Sequence, residues 1–274
     1  MSRLLKLVAL FLGRFKVDKK MNMKNLAVFD FDHTIIDDNS DTAVLQLINR
    51  TKIPNELKKL YKADGWTAYM QGIFKVLYEN NIQQPDIDNL IKNIPEVQGM
   101  SNLIRELHDN MNYDVIIISD SNTHFIQIWL EMNNLQGKIL KVFSNPAQFD
   151  DAGLLCIKMY HVQDVCALST KNLCKGMIME NFVKEQHSNN TIYERIIYIG
   201  DGENDICPIL RLNEKGIACV RNKYRCLVLV NKILNGESID KKEKDQKQDY
   251  SLKSQVCIWE NGYEILNYLK NNLK

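Results

Sequence analysis

Leu26-Ala-Val-Phe-Asp-Phe-Asp-His-Thr34 sets a short apolar run against two acids spaced one residue apart. The run Leu26 to Phe29 predicts a buried strand whose carboxyl end carries Asp30 and Asp32. Two later stretches repeat the plan. Tyr113-Asp-Val-Ile-Ile-Ile-Ser119 runs into Asp120-Ser121-Asn122, and Arg195-Ile-Ile-Tyr-Ile-Gly200 runs into Asp201-Gly202. Gly216-Ile-Ala-Cys-Val220 reads as a further strand. Apolar runs of this kind, separated by helical stretches, predict βαβ units and an α/β fold with a mainly parallel sheet. Such sheets bind ligands at the carboxyl ends of their strands, where these polar residues gather.

Between the first two runs the chain travels about eighty residues, far more than one crossover helix needs. Asn39-Ser40 could cap a helix through Arg50. Helical spacing recurs in Trp66, Tyr69, Met70, Ile73, Phe74 and Leu77, a stripe that reads as a core face. Pro85 opens another helix carrying Ile87, Leu90, Ile91 and Ile94. Residues 41–97 therefore read as a small helical cap inserted into a core formed by 25–40 and 98–274. Ser101 to Asn110 reads as a helix of that core, Val256 to Trp259 as an edge strand, and Tyr263 to Leu273 as a final helix. The mixed-charge stretch 236–254 reads as a solvated loop.

Composition bounds the function. With 45% hydrophobic and 25% charged residues, the 274-residue chain is that of a globular protein and can bury a sizeable core. Its 35 basic and 34 acidic residues nearly cancel, which points away from nucleic acid as the main partner. No run reaches the ~18 apolar residues of a membrane span. Seven scattered cysteines without a CxxC pair argue for a reducing compartment rather than a disulfide framework. Residues 1–24 read as an extension, or as a basic amphipathic targeting segment, since no acid precedes Asp18. The expected location is the cytoplasm, or the mitochondrion if that segment directs import.

The acids at the strand ends suit phosphoryl chemistry. Transfer of a phosphoryl group needs an attacking oxygen on one side and a proton donor near the departing oxygen. Asp30 and Asp32, in neighbouring but different surroundings, can divide these roles. Gly200-Asp-Gly-Glu-Asn-Asp205 adds a second carboxylate cluster after a strand, suited to a hard cation such as Mg²⁺. Ser119 ends the second strong run, where its hydroxyl and local amides can bind phosphate oxygens. Lys175 precedes a helix and can offset repulsion between an anionic nucleophile and an anionic phosphate.

The order Asp30/Asp32, Ser119, Lys175, Asp201/Asp205 resembles the haloacid dehalogenase-type phosphatase superfamily over most of residues 25–272. Asp30-Phe-Asp-His-Thr-Ile-Ile-Asp-Asp-Asn-Ser-Asp41, Ile118-Ser-Asp-Ser-Asn122 and Tyr198-Ile-Gly-Asp-Gly-Glu-Asn-Asp-Ile-Cys-Pro208 resemble its phosphoethanolamine/phosphocholine phosphatase family, which includes enzymes described as pyridoxal phosphate phosphatases. The resemblance implies a Rossmann-like core with a helical cap. It also implies a Mg²⁺-dependent phosphoric monoester hydrolase that acts through an aspartyl-phosphate. Asp30 would be the nucleophile and Asp32 the general acid and base. Asp30, the backbone carbonyl of Asp32, and Asp201 would hold Mg²⁺, with Asp205 supporting the ion from behind. Thr34, Ser119, Lys175 and Asn204 would contact the phosphate or orient its neighbours. Asp41 and Asp120 would face the substrate's non-phosphate end; by residue type alone Asp41 could equally cap a helix, and Asp120 could brace the turn after Ser119.

The implied substrate is a small phosphorylated metabolite: phosphoethanolamine or phosphocholine first, pyridoxal 5′-phosphate second. The alternatives are a phosphotransferase with the same intermediate and a catalytically idle phosphate-ligand binder on the same scaffold. One region departs from the family's pattern. A denser Cys/His segment often precedes the motif lysine, but here His161, Cys166, Asn172 and Cys174 remain, and Ser169 stands where another cysteine would be expected. Three ligands fall short of the four a structural zinc site needs, so the segment reads as core and loop residues. His33 is given no role, and His108, His124 and His187 read as structural or exposed.

Overall fold

Along β1 (Asn22–Phe29), Leu26 and Val28 enter one apolar cluster while Ala27 and Phe29 enter another on the opposite face. All four are wholly buried. A strand covered on both faces needs no polar alternation, which is why its sequence reads as an unbroken apolar run. The computed structural model describes residues 21–61, 63–239 and 250–272.

Among the described residues, six strands form the main sheet: β1, β2 (Tyr113–Asn122), β3 (Lys141–Asn145), β6 (Thr191–Gly200), β7 (Ile217–Arg221) and β8 (Gln255–Trp259). Their order is β3-β2-β1-β6-β7-β8, and every ladder is parallel. The chain thus builds outward from β1 in one direction, then returns and builds outward in the other from β6. A separate antiparallel hairpin joins β4 (Ala147–Phe149) to β5 (Leu155–Ile157). The longer helices are α1 (Trp66–Glu79), α2 (Gln84–Lys92), α3 (Met100–Asn110), α4 (Thr123–Met132), α5 (Lys175–Ser188), α6 (Arg225–Leu234) and α7 (Gly262–Asn272). Tyr69, Met70, Ile73, Phe74 and Leu77 of α1 are buried in the cluster that also holds Phe125 and Trp129 of α4.

The structure departs from the sequence reading at several points. β2 continues through Asn122 rather than ending at Ser119. The helix expected from Asn39-Ser40 to Arg50 stops at Ala43 and gives way to tighter helical turns. Ile48 is extended there, which ends the i→i+4 pattern. β3 and the β4–β5 hairpin went unseen because they are short and partly exposed. Asn22 to Lys24, assigned to the N-terminal extension, pair with Thr191 to Tyr193 as the start of β1. Residues 1–20, and 240–249 of the polar stretch, lie outside the described residues. Among the described residues no helix is long and apolar enough to cross a membrane.

Candidate active site

Phe29 of β1 is in register with Ile199 of β6, so the residues that follow these two strands leave the sheet side by side. This is the point where the strand order reverses, and loops diverging to either side open a crevice there. Asp30 occupies it, its backbone N–H donating to Ile199 O at 2.9 Å. Asp201 follows β6, and Thr34 Oγ1 donates to its Oδ1 at 3.2 Å.

Lys175, the first residue of α5, sends a fully buried side chain into the same crevice. Its ammonium lies 2.6 Å from Asp30 Oδ2 and 2.8 Å from Asp205 Oδ1. Burial works against the charge, but Asp205 and Asp30 outweigh it and hold the ammonium above its ordinary range. Asp205 is saturated. Its Oδ1 also accepts from Tyr198 OH at 2.6 Å, and its Oδ2 accepts from the backbone N–H of Asp201 at 3.0 Å and of Gly202 at 2.8 Å. Gly200 makes room for this carboxylate, since a Cβ there would sit 2.4 Å from Asp205 Oδ2.

Oxygens of Asp30, Asp201 and Asp205 lie within 4.8 Å of one another. Burial, with the opposing pull of Lys175 and the repulsion of Asp205 and Asp120, raises the Asp30 carboxyl to about 7. Burial and the neighbouring Asp30 and Asp205 raise Asp201 to about 8. Crowded, buried carboxylates of this kind are short of positive charge, and an all-oxygen donor set suits a hard divalent cation such as Mg²⁺. Asp205 has its oxygens committed to four donors, which leaves Asp30 and Asp201 with more capacity to take a cation.

Asp32 turns into a different environment. Its Oδ1 accepts from Ser40 N at 2.9 Å and its Oδ2 from Asn39 Nδ2 at 3.3 Å. Burial, reinforced by the charge of Asp41, pushes its carboxyl well above the ordinary range. A carboxyl raised in this way is better able to hold a proton and give it up.

Beyond Asp32 opens a cavity of about 530 Å³, lined by Asp41, Trp66, Asp120, Leu168 and Asn204 among others. Asn204 Nδ2 donates to Asp120 Oδ2 at 3.2 Å, joining the loop after β6 to the end of β2. The Asp120 side chain thus reaches across the crevice instead of bracing its own turn. Asp41 is 1% exposed and accepts at Oδ2 from Trp66 Nε1 at 2.7 Å. Its Oδ1 has no hydrogen bond of good geometry. Burial raises this carboxyl to about 7, against the pull of Trp66 and the nearby Asn122 amide. Asp41 does not cap the helical turn Ser40–Ala43; Asn39 does, accepting from Thr42 N at 2.8 Å.

The singled-out residues thus fall into two adjoining groups. Asp30, Thr34, Lys175, Asp201 and Asp205 form one bonded cluster. Asp32, Asp41, Asp120 and Asn204 line the cavity beside it. Ser119 is fully buried, and its Oγ accepts from Ser121 N at 3.3 Å, a bond within its own strand. Sequence reasoning missed Tyr198 and Trp66. Tyr198 had a signal, being one hydroxyl in an otherwise aliphatic run. Trp66 had none: it opens the stripe of α1, yet is less buried than the stripe and faces the cavity.

A model of the family described as "Putative Phosphatase" matches residues 25–273. The chain is 38% identical over 253 residues to the bovine (Bos taurus) pyridoxal phosphate phosphatase PHOSPHO2, covering 92% of this chain and 100% of that one. It is 29% identical over 250 residues to the human (Homo sapiens) phosphoethanolamine/phosphocholine phosphatase, covering 91% and 89% respectively. Among solved structures, an apo phosphoserine phosphatase has the same fold, with a TM-score of 0.54 at 19% identity over 89% of this chain and 98% of that one.

Proposed function

This chain belongs to the "Putative Phosphatase" family and is a haloacid dehalogenase-like phosphoric monoester hydrolase, and from that premise we propose that it hydrolyses small phosphomonoesters whose alcohol carries a cationic nitrogen, with Asp30 as nucleophile. The observation that carries this reading is the buried Asp30–Lys175–Asp205 bridge at the reversal point of the sheet. The ammonium works against burial to favour the ionised form of Asp30 that attacks, and the same ammonium offsets the phosphate's charge.

In the proposed cycle an Asp30 oxygen attacks phosphorus in line with the ester oxygen. The P–O bond to the alcohol breaks as Asp32 gives that oxygen its proton. Asp32, now a carboxylate, takes a proton from water, whose oxygen displaces Asp30 from the aspartyl-phosphate. Lys175, Thr34, Ser119 and Asn204 bind or orient the phosphate in this reading. Mg²⁺ held by Asp30, Asp201 and the Asp32 carbonyl would neutralise charge on the phosphoryl oxygens. Asp205 stays in place as the anchor of Lys175. Residues 41–97, which carry Asp41 and Trp66, would close over the cavity and exclude water.

Asp41 and Asp120 support a cationic nitrogen on the substrate. A buried carboxylate whose Oδ1 lacks a well-formed hydrogen bond, beside an indole, suits an ammonium group by charge and by cation–π contact. Phosphoethanolamine and phosphocholine fit that description. Pyridoxal 5′-phosphate is the second reading; the name of the 38%-identical relative favours it, and Leu168, Ile206 and Leu229 offer apolar wall for a ring. Phosphate release should be measured from the three substrates, with and without Mg²⁺. Metal-dependent turnover of at least one, lost in Asp30→Asn, is the expected result. Full activity in Asp30→Asn would remove the proposed nucleophile.

A further inference from the structure

Cys166, Cys174 and Cys207 bring their sulfurs within 4.8 Å of one another. The Cys166–Cys207 separation is 3.4 Å and the Cys174–Cys207 separation 3.6 Å. Sequence reasoning counted ligands within 161–174 and stopped at three, with His161 among them. The fold changes the count by delivering Cys207 from the turn Ile206–Ile209, while His161 Nε2 is instead occupied, accepting from Cys174 N at 3.0 Å. Tetrahedral zinc with Zn–S bonds of ~2.3 Å sets its sulfurs about 3.8 Å apart. The observed spacings fall within a few tenths of an ångström of that value.

The surroundings favour a thiolate at Cys174, whereas the hydrogen bond to Cys174 and burial push the Cys207 thiol up, so Cys207 gives up its proton only on binding a metal. Cys174 sits at the N-terminus of the 14-residue helix α5. Its thiol is pulled down by a hydrogen bond from Cys207 and by contacts with Ser169, the Met177 amide and Cys166. Arg211 faces the cluster, its charge supported by Cys207 and Cys174. Gly176 leaves the space that Cys207 fills, since a Cβ there would lie 2.6 Å from the Cys207 sulfur. Ser169 Oγ is buried without a hydrogen-bond partner of good geometry, next to Cys174.

We infer that Cys166, Cys174 and Cys207 form a second, soft metal site that takes Zn²⁺, with the Ser169 hydroxyl or a water in the fourth position. Binding expels the remaining thiol protons to solvent, and the Arg211 guanidinium offsets the surplus negative charge of three thiolates on one divalent ion. The site has a structural use. Cys174 directly precedes Lys175, and Cys207 lies two residues beyond Asp205. A metal there ties together the two segments that carry the Lys175–Asp205 pair.

The test is metal content of the full-length protein, purified without chelator and dialysed against excess Mg²⁺. The expected result is about one zinc per chain, released by a thiol-blocking mercurial. Replacement by Co²⁺ should give thiolate-to-metal charge-transfer absorption. Cys166→Ser and Cys207→Ser should each weaken zinc retention at least about tenfold, Ser169→Cys should strengthen it, and Asp30→Asn should leave it unchanged. Cys166 lies on a partly exposed loop, so its variant can fold even if Cys207→Ser does not. Zinc retained in Cys166→Ser but lost in Asp30→Asn would assign the metal to the carboxylate cluster and overturn the inference. So would a wild-type chain that binds no zinc, or a Cys–Cys disulfide between any two of these residues in the native protein.

Discussion

Lys175 Nζ lies 2.6 Å from Asp30 Oδ2, with the two side chains at 0% and 6% exposure. A second carboxylate, Asp205 of the turn after β6, closes on the same ammonium at 2.8 Å. One cation thus stands against three buried acids once Asp201 is included, and that imbalance governs how the site should respond to mutation, pH and metal.

Lys175→Met should both destabilise the fold and abolish turnover. It strands Asp30 and Asp205 without their partner, a loss of about 3–5 kcal/mol for a broken buried pair. Denaturant unfolding measures the first effect and phosphate release the second. An unfolding midpoint equal to wild type would mean the bridge contributes nothing to the folded state.

Asp30→Asn should behave oppositely on the two measures. Removing one of three crowded acids relieves repulsion on Asp201 while Lys175 keeps Asp205. Stability with chelator present should hold or rise, whereas turnover should fall by on the order of 10⁴-fold or more, as for other lost nucleophiles. Acid-quenched enzyme should carry phosphate on Asp30 in the wild type and none in the variant.

Without divalent metal, stability should decline as pH rises. Asp30 and Asp201 begin from an ordinary value of 3.8 and are raised to about 7 and about 8 by burial and mutual repulsion. Between about pH 4 and pH 8 the folded chain therefore holds protons that the unfolded chain has released, and ΔG of unfolding falls as pH climbs through that window. Mg²⁺ competes with those protons, so its stabilising effect should grow from pH 5 to pH 8. Thermal unfolding in chelator and in Mg²⁺ across that range tests both slopes; a Mg²⁺ effect that shrinks with rising pH would contradict the picture.

Asp41→Asn should discriminate between substrates. It removes a charge facing the proposed ammonium and leaves the Asp30–Lys175–Asp205 bridge in place, at the cost of the smaller, Asp41-derived part of the upward push on Asp32. A charge-assisted hydrogen bond contributes ~1.5–3 kcal/mol, so kcat/KM for phosphoethanolamine or phosphocholine should drop about ten- to a hundredfold. Hydrolysis of an aryl phosphate without a cationic nitrogen should fall less, since only the effect through Asp32 remains. Equal losses on both substrates would place Asp41 in the structure of the site rather than in recognition.

Gly200→Ala should perturb Asp205 at a distance from the substrate. The added Cβ meets Asp205 Oδ2 at 2.4 Å, with the Asp205 Cβ at 3.0 Å behind it. The carboxylate has no slack, because Lys175, Tyr198, Asp201 and Gly202 all donate to it. Loss of stability together with a lower kcat is expected, measured by thermal unfolding and steady-state kinetics.

Several parts of this protein were legible in one dimension. β1, β2, β6 and β7 announce themselves because burial on both faces demands consecutive apolar residues, as in Val115 to Ile118 and Ile196 to Ile199. The helices α1 and α2 show their apolar spacing, and Pro85 marks the start of the second. β3 was not legible: it is a five-residue edge strand with Lys141 exposed at its start, and such a segment becomes a strand through pairing with β2. Nor was the break after Ala43, where local propensity alone allowed the helix to continue.

Local order along the chain determined the strand runs and the acids that end them, because backbone sterics and burial act over a few residues. Tertiary structure alone decided that Asp30 and Asp201, 171 positions apart, share one crevice, that Trp66 holds Asp41, and that Cys207 joins Cys166 and Cys174. Those pairings depend on strand order and on which faces meet, and neither quantity is carried by any short stretch of sequence.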